Sequence, residues 1–261
     1  STLVAYRNRI AERLKGVVEV RFGLQTNGLL LDPDTIHRLV EARISVGISL
    51  DGPALVNDRR RPDHAGRGSH RRVVEAVERI ARGPCPDILS GYLAVIDVDS
   101  HPADVLGFFQ DLGARRLDLL LPHGHHDKLP PGMSNPGDRR YGRWLVAAFD
   151  EWFDRRSTMR VRMFADMLKL MLGGRSAVES LGLADKSIVV VESDGAIEPV
   201  DTLRSVHDGA TELGFHLVDH SFDDVMTHPA FASRFLGAEA LCGTCRACPH
   251  LRVCGGGYLP H

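Results

Sequence analysis

The sequence predicts an α/β fold, a parallel sheet wound by crossover helices, followed by a small C-terminal metal-binding domain. Three observations predict it. Strand-like and helix-like segments alternate from Val17 to Leu121, the rhythm of βαβ units. Within them, Ile44 to Leu50 (ISVGISL) is an almost continuous apolar run, as a strand covered on both faces must be. Past Lys186 the rhythm stops, a hairpin pattern appears, and four of the five cysteines crowd into Gly237 to His261.

Taken in order, Ser1 to Leu14 carries apolar residues among Arg and Glu and predicts a short helix without a convincing cap. Val17 to Leu24 (VVEVRFGL) predicts a strand, ending in the turn Gln25-Thr26-Asn27-Gly28. Asp32-Pro33-Asp34 supplies a helix start, with Ile36, Leu39 and Val40 at helical spacing. Ile44 to Leu50 is the second strand, ending at Ser49, Asp51 and Gly52. The stretch NDRRRPDHAGRGSH reads as a basic loop, and Arg72 to Ala81 as a helix. Ile88 to Ile96 predicts a third strand, Pro102 to Leu112 a helix, and Leu117 to Leu121 a fourth strand. That strand runs into Pro122-His123-Gly124-His125-His126-Asp127.

Lys128 to Asp138, rich in Pro and Gly, reads as a surface excursion. Helices are predicted over Tyr141 to Phe153 and Met163 to Leu172, the second with a methionine stripe that suits core filling. Ser187 to Glu192 and Ala196 to Val200, joined by Ser193-Asp194-Gly195, predict a β-hairpin. A boundary near Lys186 therefore divides a sheet domain (1–186) from a small domain (187–261) too poor in regular core to stand without metal.

Composition narrows the function. A formal charge of −2 and a pI near 6.7 exert no broad pull on nucleic acid or a membrane surface. No apolar run approaches the roughly 20 residues that span a bilayer, and the N-terminus has no signal-peptide pattern. A reducing cytoplasm is the expected compartment, where metal thiolates survive and structural disulfides are uncommon.

Cys242, Cys245, Cys248 and Cys254 form C-x2-C-x2-C-x5-C. Each C-x2-C step lets one turn of backbone aim two thiolates at a shared centre, so the pattern points to bound metal. Thiolate softness suits zinc or an iron–sulfur cluster, and the spacing does not choose between them. In a parallel sheet the chemistry gathers at the carboxyl ends of the strands. The loops there carry Thr26-Asn27-Gly28, Ser49-Asp51-Gly52, Asp97-Asp99 and His123 to Asp127. Plain turn chemistry is the competing account of Asn27-Gly28 and Asp51-Gly52. A solvated polar loop competes with a second metal site at His123, His125 and His126.

QTNG at 25–28 after one strand, SLDG at 49–52 after the next, Arg61 twelve residues past Ser49 and the cysteine stretch ending in CGGG occur together in this order. In this combination the sequence resembles a radical S-adenosylmethionine (SAM) protein with a SPASM-type C-terminal domain. RRRPDHAGRGSH, LLLPHG, SLGL and CGGGYLPH make it most similar to the Fxs-type peptide maturases, which form three-residue cyclophanes. The resemblance implies a partial (β/α)6 radical SAM barrel lacking its first βα units, then a SPASM-like iron–sulfur domain. It implies SAM and a [4Fe–4S] cluster as cofactors, with a 5′-deoxyadenosyl radical abstracting hydrogen from a ribosomal precursor peptide. A reductant such as flavodoxin or ferredoxin supplies the electron, and an aromatic ring carbon becomes joined to a side-chain β-carbon. Ser49 and Arg61 match the family's SAM-contacting positions, with Asn27 and Asp51 nearby. Asp201 matches a position where sulfatase-maturing relatives carry a general base, although pairing with Arg204 would equally account for it.

Two departures qualify these implications. The family's C-x3-C-x2-C loop is absent and the only other cysteine is Cys85, so the catalytic cluster is expected outside these 261 residues, which alone should turn nothing over. Val200 and Tyr258 stand where ligands of a first auxiliary cluster are expected, so one auxiliary cluster is anticipated, on Cys245, Cys248 and Cys254, with Cys242 either the local fourth ligand or an idle neighbour. A non-catalytic peptide-binding module with a structural zinc or iron–sulfur knob is the alternative.

Overall fold

In the computed structural model the described residues are 2–125, 127–176, 178, 180–183, 188–232 and 236–257. Contacts divide the chain into two units, Ser1–Leu121 with Arg139–Arg162, and Pro122–Asp138 with Met163–His261.

The first unit opens with helix α1 (Thr2–Arg13), none of whose residues is buried. Strand β1 (Phe22–Thr26) starts later than predicted, and Val17 and Val18 are exposed. Register explains the shift: Phe22 pairs with Ile44, the first residue of β2 (Ile44–Ser49), so the preceding valines have no strand beside them on that side. Helix α2 (Pro33–Glu41) begins as expected, with Asp32 accepting the Thr35 amide at 2.7 Å and Pro33 at its start.

The predicted basic loop holds a correction, because Ala54–Arg60 is a helix, α3. Seven residues with one buried valine show no readable period, which is why this helix was invisible in the sequence. Then follow α4 (His70–Arg82), β3 (Leu89–Val95), α5 (Pro102–Asp111), β4 (Arg116–Leu120) and α6 (Arg140–Asp154). A fifth strand, the two-residue β5 (Arg160–Val161), also escapes sequence reading. The strands lie in the order β1-β2-β3-β4-β5, all parallel.

Burial explains why this sheet forms. Ile44, Val46, Ile48 and Leu50 are all but inaccessible, and one apolar face of α4 (Val73, Ala76, Val77, Ile80) and of α5 (Val105, Leu106, Phe109) is buried. Tyr92 of β3 lies 5.3 Å from Phe109 between ring centroids, and its burial pushes the phenol pKa up to about 12.

In the second unit, α7 (Arg162–Met171) buries Phe164, Asp166 and Leu170. Its methionine stripe is only partly core: Met163 is half-buried, while Met167 and Met171 are exposed and Phe164, Asp166 and Leu170 take the buried positions. The hairpin forms as β6 (Val190–Val191) and β7 (Ala196–Glu198), joined by a third antiparallel strand, β8 (Phe215–His216). A small cluster of Ile197, Val225 and Phe231, flanked by Val189, Leu213, Phe215 and Met226, holds this region. Helices α8 (Phe222–Met226), α9 (Pro229–Ala232), α10 (Gly243–Arg246) and α11 (Leu251–Cys254) are short. Lys186, Ser187 and Tyr258 lie outside the described residues. No helix among the described residues is long and apolar enough to cross a membrane.

Candidate functional site at the carboxyl edge of the sheet

The end of β2 is built around Asp51, 3% exposed. Its carboxylate receives Arg61 Nε at 2.7 Å and Arg61 Nη2 at 2.9 Å, the bidentate fork that a planar guanidinium favours. Asp51 Oδ1 also accepts the Val95 amide of β3 at 2.9 Å, tying the ends of two strands together. Asn57, fully buried on α3, accepts the Asp51 amide through Oδ1 and donates to Ser69 and Asp58. Asn57 was missed in the sequence, where one amide in a basic stretch carries no signal.

The structure thus brings Asp51 and Arg61 into direct contact. Ser49, half-buried, ends β2 itself. Asn27 is exposed beyond β1, where its Oδ1 accepts the Leu29 amide at 3.2 Å while Thr26 Oγ1 accepts the Gly28 amide. This is turn chemistry at work, and it leaves the Asn27 amide NH2 for a ligand. Gly28 adopts φ +76°, a left-handed conformation that glycine takes without the strain a side chain would bring.

At the end of β3, Asp97 is 1% exposed and accepts Arg59 Nη1, Arg60 Nη2 and the Asp99 amide, each at 3.1 Å. Burial alone would raise its pKa. The hydrogen bonds from Arg60 and Asp99 and the charges of Arg60 and Arg59 outweigh burial and hold the carboxyl below its ordinary value. Asp99 pairs with Arg140, and Trp144 Nε1 donates to the Ser100 carbonyl.

In the second unit Cys242 precedes α10, Cys245 lies within it, Cys248 follows it, and Cys254 ends α11. All four thiols are free and none is buried, and Cys85 is likewise free and exposed. Hydrogen bonds from the Cys245 amide and side chain, then from the Thr244 amide, pull the Cys242 thiol pKa down. The hydrogen bond to Cys242, with the nearby charges of Cys242, Cys254 and Cys248, pushes that of Cys245 up. Among the described residues, no three His, Cys, Asp or Glu side chains converge where a metal ion could sit. The donor chemistry suits a thiophilic metal or cluster, since thiols are soft donors. The SLGL and CGGG stretches are neighbours, since Gly182 N donates to Val253 O at 3.0 Å. A Cβ on Gly255, at φ +68°, would fall 2.0 Å from the Gly182 carbonyl oxygen, so no other residue fits behind Cys254.

Asp201 is exposed at the start of a 3-10 turn after β7. Its suggested pairing with Arg204 is not found. Arg204 binds Glu192 at 2.6 Å and Glu198 at 2.5 Å, because carboxylates on both sides of the hairpin face it. Val200 is buried. In the histidine loop, His123 is exposed and His125 forms a two-way backbone bridge with Lys128, while His126 lies outside the described residues.

No family model matches the chain. It is 28% identical over 193 residues, 70% of its length, to the cysteine-type anaerobic sulfatase-maturating enzyme of Clostridium novyi (strain NT), of which the match covers 50%. The chain thus spans about half the length of that curated relative. Its fold matches native anSMEcpe with bound AdoMet at a TM-score of 0.81 and 23% identity, covering 95% of this chain and 68% of that one. Streptococcus suis SuiB bound to precursor peptide SuiA matches at a TM-score of 0.58 and 14% identity, covering 97% and 58%. The α/β fold with its parallel sheet is therefore that of these maturases.

Proposed function

We propose that this chain is the cofactor- and substrate-holding part of a radical SAM peptide maturase. One observation carries the reading: the Ser49–Asp51–Arg61 arrangement stands at the carboxyl edge of a parallel sheet whose fold is that of an AdoMet-bound maturase. Ser49 and the Asn27 amide bind hydroxyl or carboxylate groups of SAM, and Asp51 orients Arg61 toward the SAM carboxylate with the donors it leaves unused. Asn27, Ser49 and Arg61 would hold SAM, which, cleaved to methionine by an electron from a [4Fe–4S] cluster that these residues do not ligate and that a flavodoxin or ferredoxin would recharge, would supply the radical that removes a substrate hydrogen. Cys242, Cys245, Cys248 and Cys254 hold one auxiliary cluster, with zinc as the competing occupant. Asp201, exposed and free of Arg204, would take the proton released when the substrate radical gives up its electron to that auxiliary cluster.

The substrate in this reading is a ribosomal precursor peptide, and the product a cyclophane with a ring-carbon to β-carbon bond. A sulfatase-type substrate is the second reading, favoured by the sulfatase-maturating relatives. Anaerobic incubation of the reconstituted full-length protein with SAM, dithionite and each candidate peptide separates them. Formation of 5′-deoxyadenosine with a two-hydrogen mass loss and a new C–C linkage in fragmentation supports the first. A modified, uncross-linked side chain supports the second. Absence of 5′-deoxyadenosine, with one zinc and no labile sulfide per chain, would leave the non-catalytic peptide-binding module.

A further inference from the structure

The ends of β2 and β3 are built alike, with one difference in charge. Two residues beyond each strand stands a buried carboxylate, Asp51 after Ser49 and Asp97 after Val95. Arginines at the end of α3 meet both. Asp51 takes one, Arg61, and their charges cancel. Asp97 takes two, Arg59 and Arg60, each through a single N–H. Two guanidinium ions, which stay protonated at any ordinary pH, thus share one carboxylate. Asp99 is occupied by Arg140, and Asp58 supplies a negative charge nearby but bonds the Asn57 side chain and the His70 amide rather than either arginine.

What the two arginines lack is acceptors. Arg60 Nε is buried without a hydrogen-bond partner, a state that costs free energy until an acceptor arrives. The Arg59 side chain is 53% exposed, so most of its donors face solvent while Asp97, at 0%, fixes its orientation. A structural ion pair at Asp97 needs only one of these arginines. Two oriented forks with unspent donors suit a planar anion, for which guanidinium geometry is matched.

Building on the reading above, we propose that Arg59 and Arg60, oriented by Asp97, form a carboxylate-binding site at the carboxyl ends of β2 and β3. The acidic group it takes is that of an acidic residue of the substrate peptide, since Arg61 takes the SAM carboxylate in that reading. Asp97 is a positioning residue in this site, since it acts through the arginines.

The test uses the full-length protein and the triple variant R59Q/R60Q/D97N, which removes the buried charge together with its partners and so leaves no uncompensated carboxylate. Three probes are titrated by calorimetry or NMR: SAM, decarboxylated SAM and N-acetylaspartate amide. In the variant, SAM affinity is expected to be unchanged, and the shift perturbations from N-acetylaspartate amide seen in the parent to vanish. A variant that binds SAM about tenfold or more weakly while decarboxylated SAM is unaffected overturns the proposal, because the arginines then take the cofactor's carboxylate. Unchanged binding of both SAM and N-acetylaspartate amide in the variant, or no binding of either by the parent, overturns the proposal. Loss of SAM binding from the parent alone refutes the radical SAM reading, while the N-acetylaspartate arm still reports on Arg59 and Arg60. A second variant, R59K/R60K, keeps the charge but not the fork; full retention of affinity there overturns the bidentate geometry.

Discussion

The two units of this protein prepare their functional groups in opposite ways. At the sheet edge, Asp51 and Asp97 are buried, each with its arginine partners and a backbone amide in place. In the second unit the four thiols are free and at least partly exposed, in or beside two one-turn helices that bury no residue. A site built from strand ends inherits its order from the sheet beneath it. Thiols on helices this short have no such foundation, and isolated helices of this length are not stable on their own. A bound metal or cluster would organise them, and its binding free energy would then become folding free energy.

The largest test of this contrast is core truncation in the first unit. Phe109→Ala should cost about 3–5 kcal/mol in urea unfolding, because the side chain is fully buried, and should leave iron content per folded chain unchanged. If iron falls with it, the units are not independent in the way the contrast requires. Next is Asp51→Asn, expected to cost about 2–3 kcal/mol, below the full buried-pair range because Arg61 retains some solvent contact. A cost under about 0.5 kcal/mol would mean that the clamp is solvated surface chemistry.

Metal removal addresses the other side. Chelation of the anaerobically loaded protein should raise amide exchange across 242–257 and leave that of β1 to β4 unchanged, read by hydrogen-exchange mass spectrometry. Equal protection before and after would show that the cysteine stretch is ordered without its ligand.

Acid provides a smaller effect. The Asp97 pKa is lowered in the folded protein, so its contribution is present above its unfolded value near 3.9 and is lost as pH falls through the folded value. Asp97→Asn should flatten the acid limb of the stability curve in that window, and an unchanged limb would show that Asp97 contributes nothing to it. The smallest expected effect is Ser221→Ala, which removes the capping box of α8, where Ser221 and Asp224 bond reciprocally. It should cost about 1 kcal/mol in thermal unfolding, and no change would place α8 outside the cooperative unit.

The sequence by itself determined the parallel sheet, because ISVGISL and the apolar faces of α4 and α5 have only one way to escape water together. It also determined the hairpin through Ser193-Asp194-Gly195 and the four thiols through their spacing. Short elements were not legible: α3 and β5 are too brief for a period to show, and only their neighbours order them. Pairing was likewise decided in three dimensions. Arg204 could have met Asp201 by proximity in sequence, yet it meets Glu192 and Glu198 because the hairpin folds them together. Arg59, Arg60 and Arg61 read as one basic run, but the ends of two adjacent strands divide them between Asp51 and Asp97. Residue identity supplies the charge, and only the register of the sheet decides which carboxylate receives it.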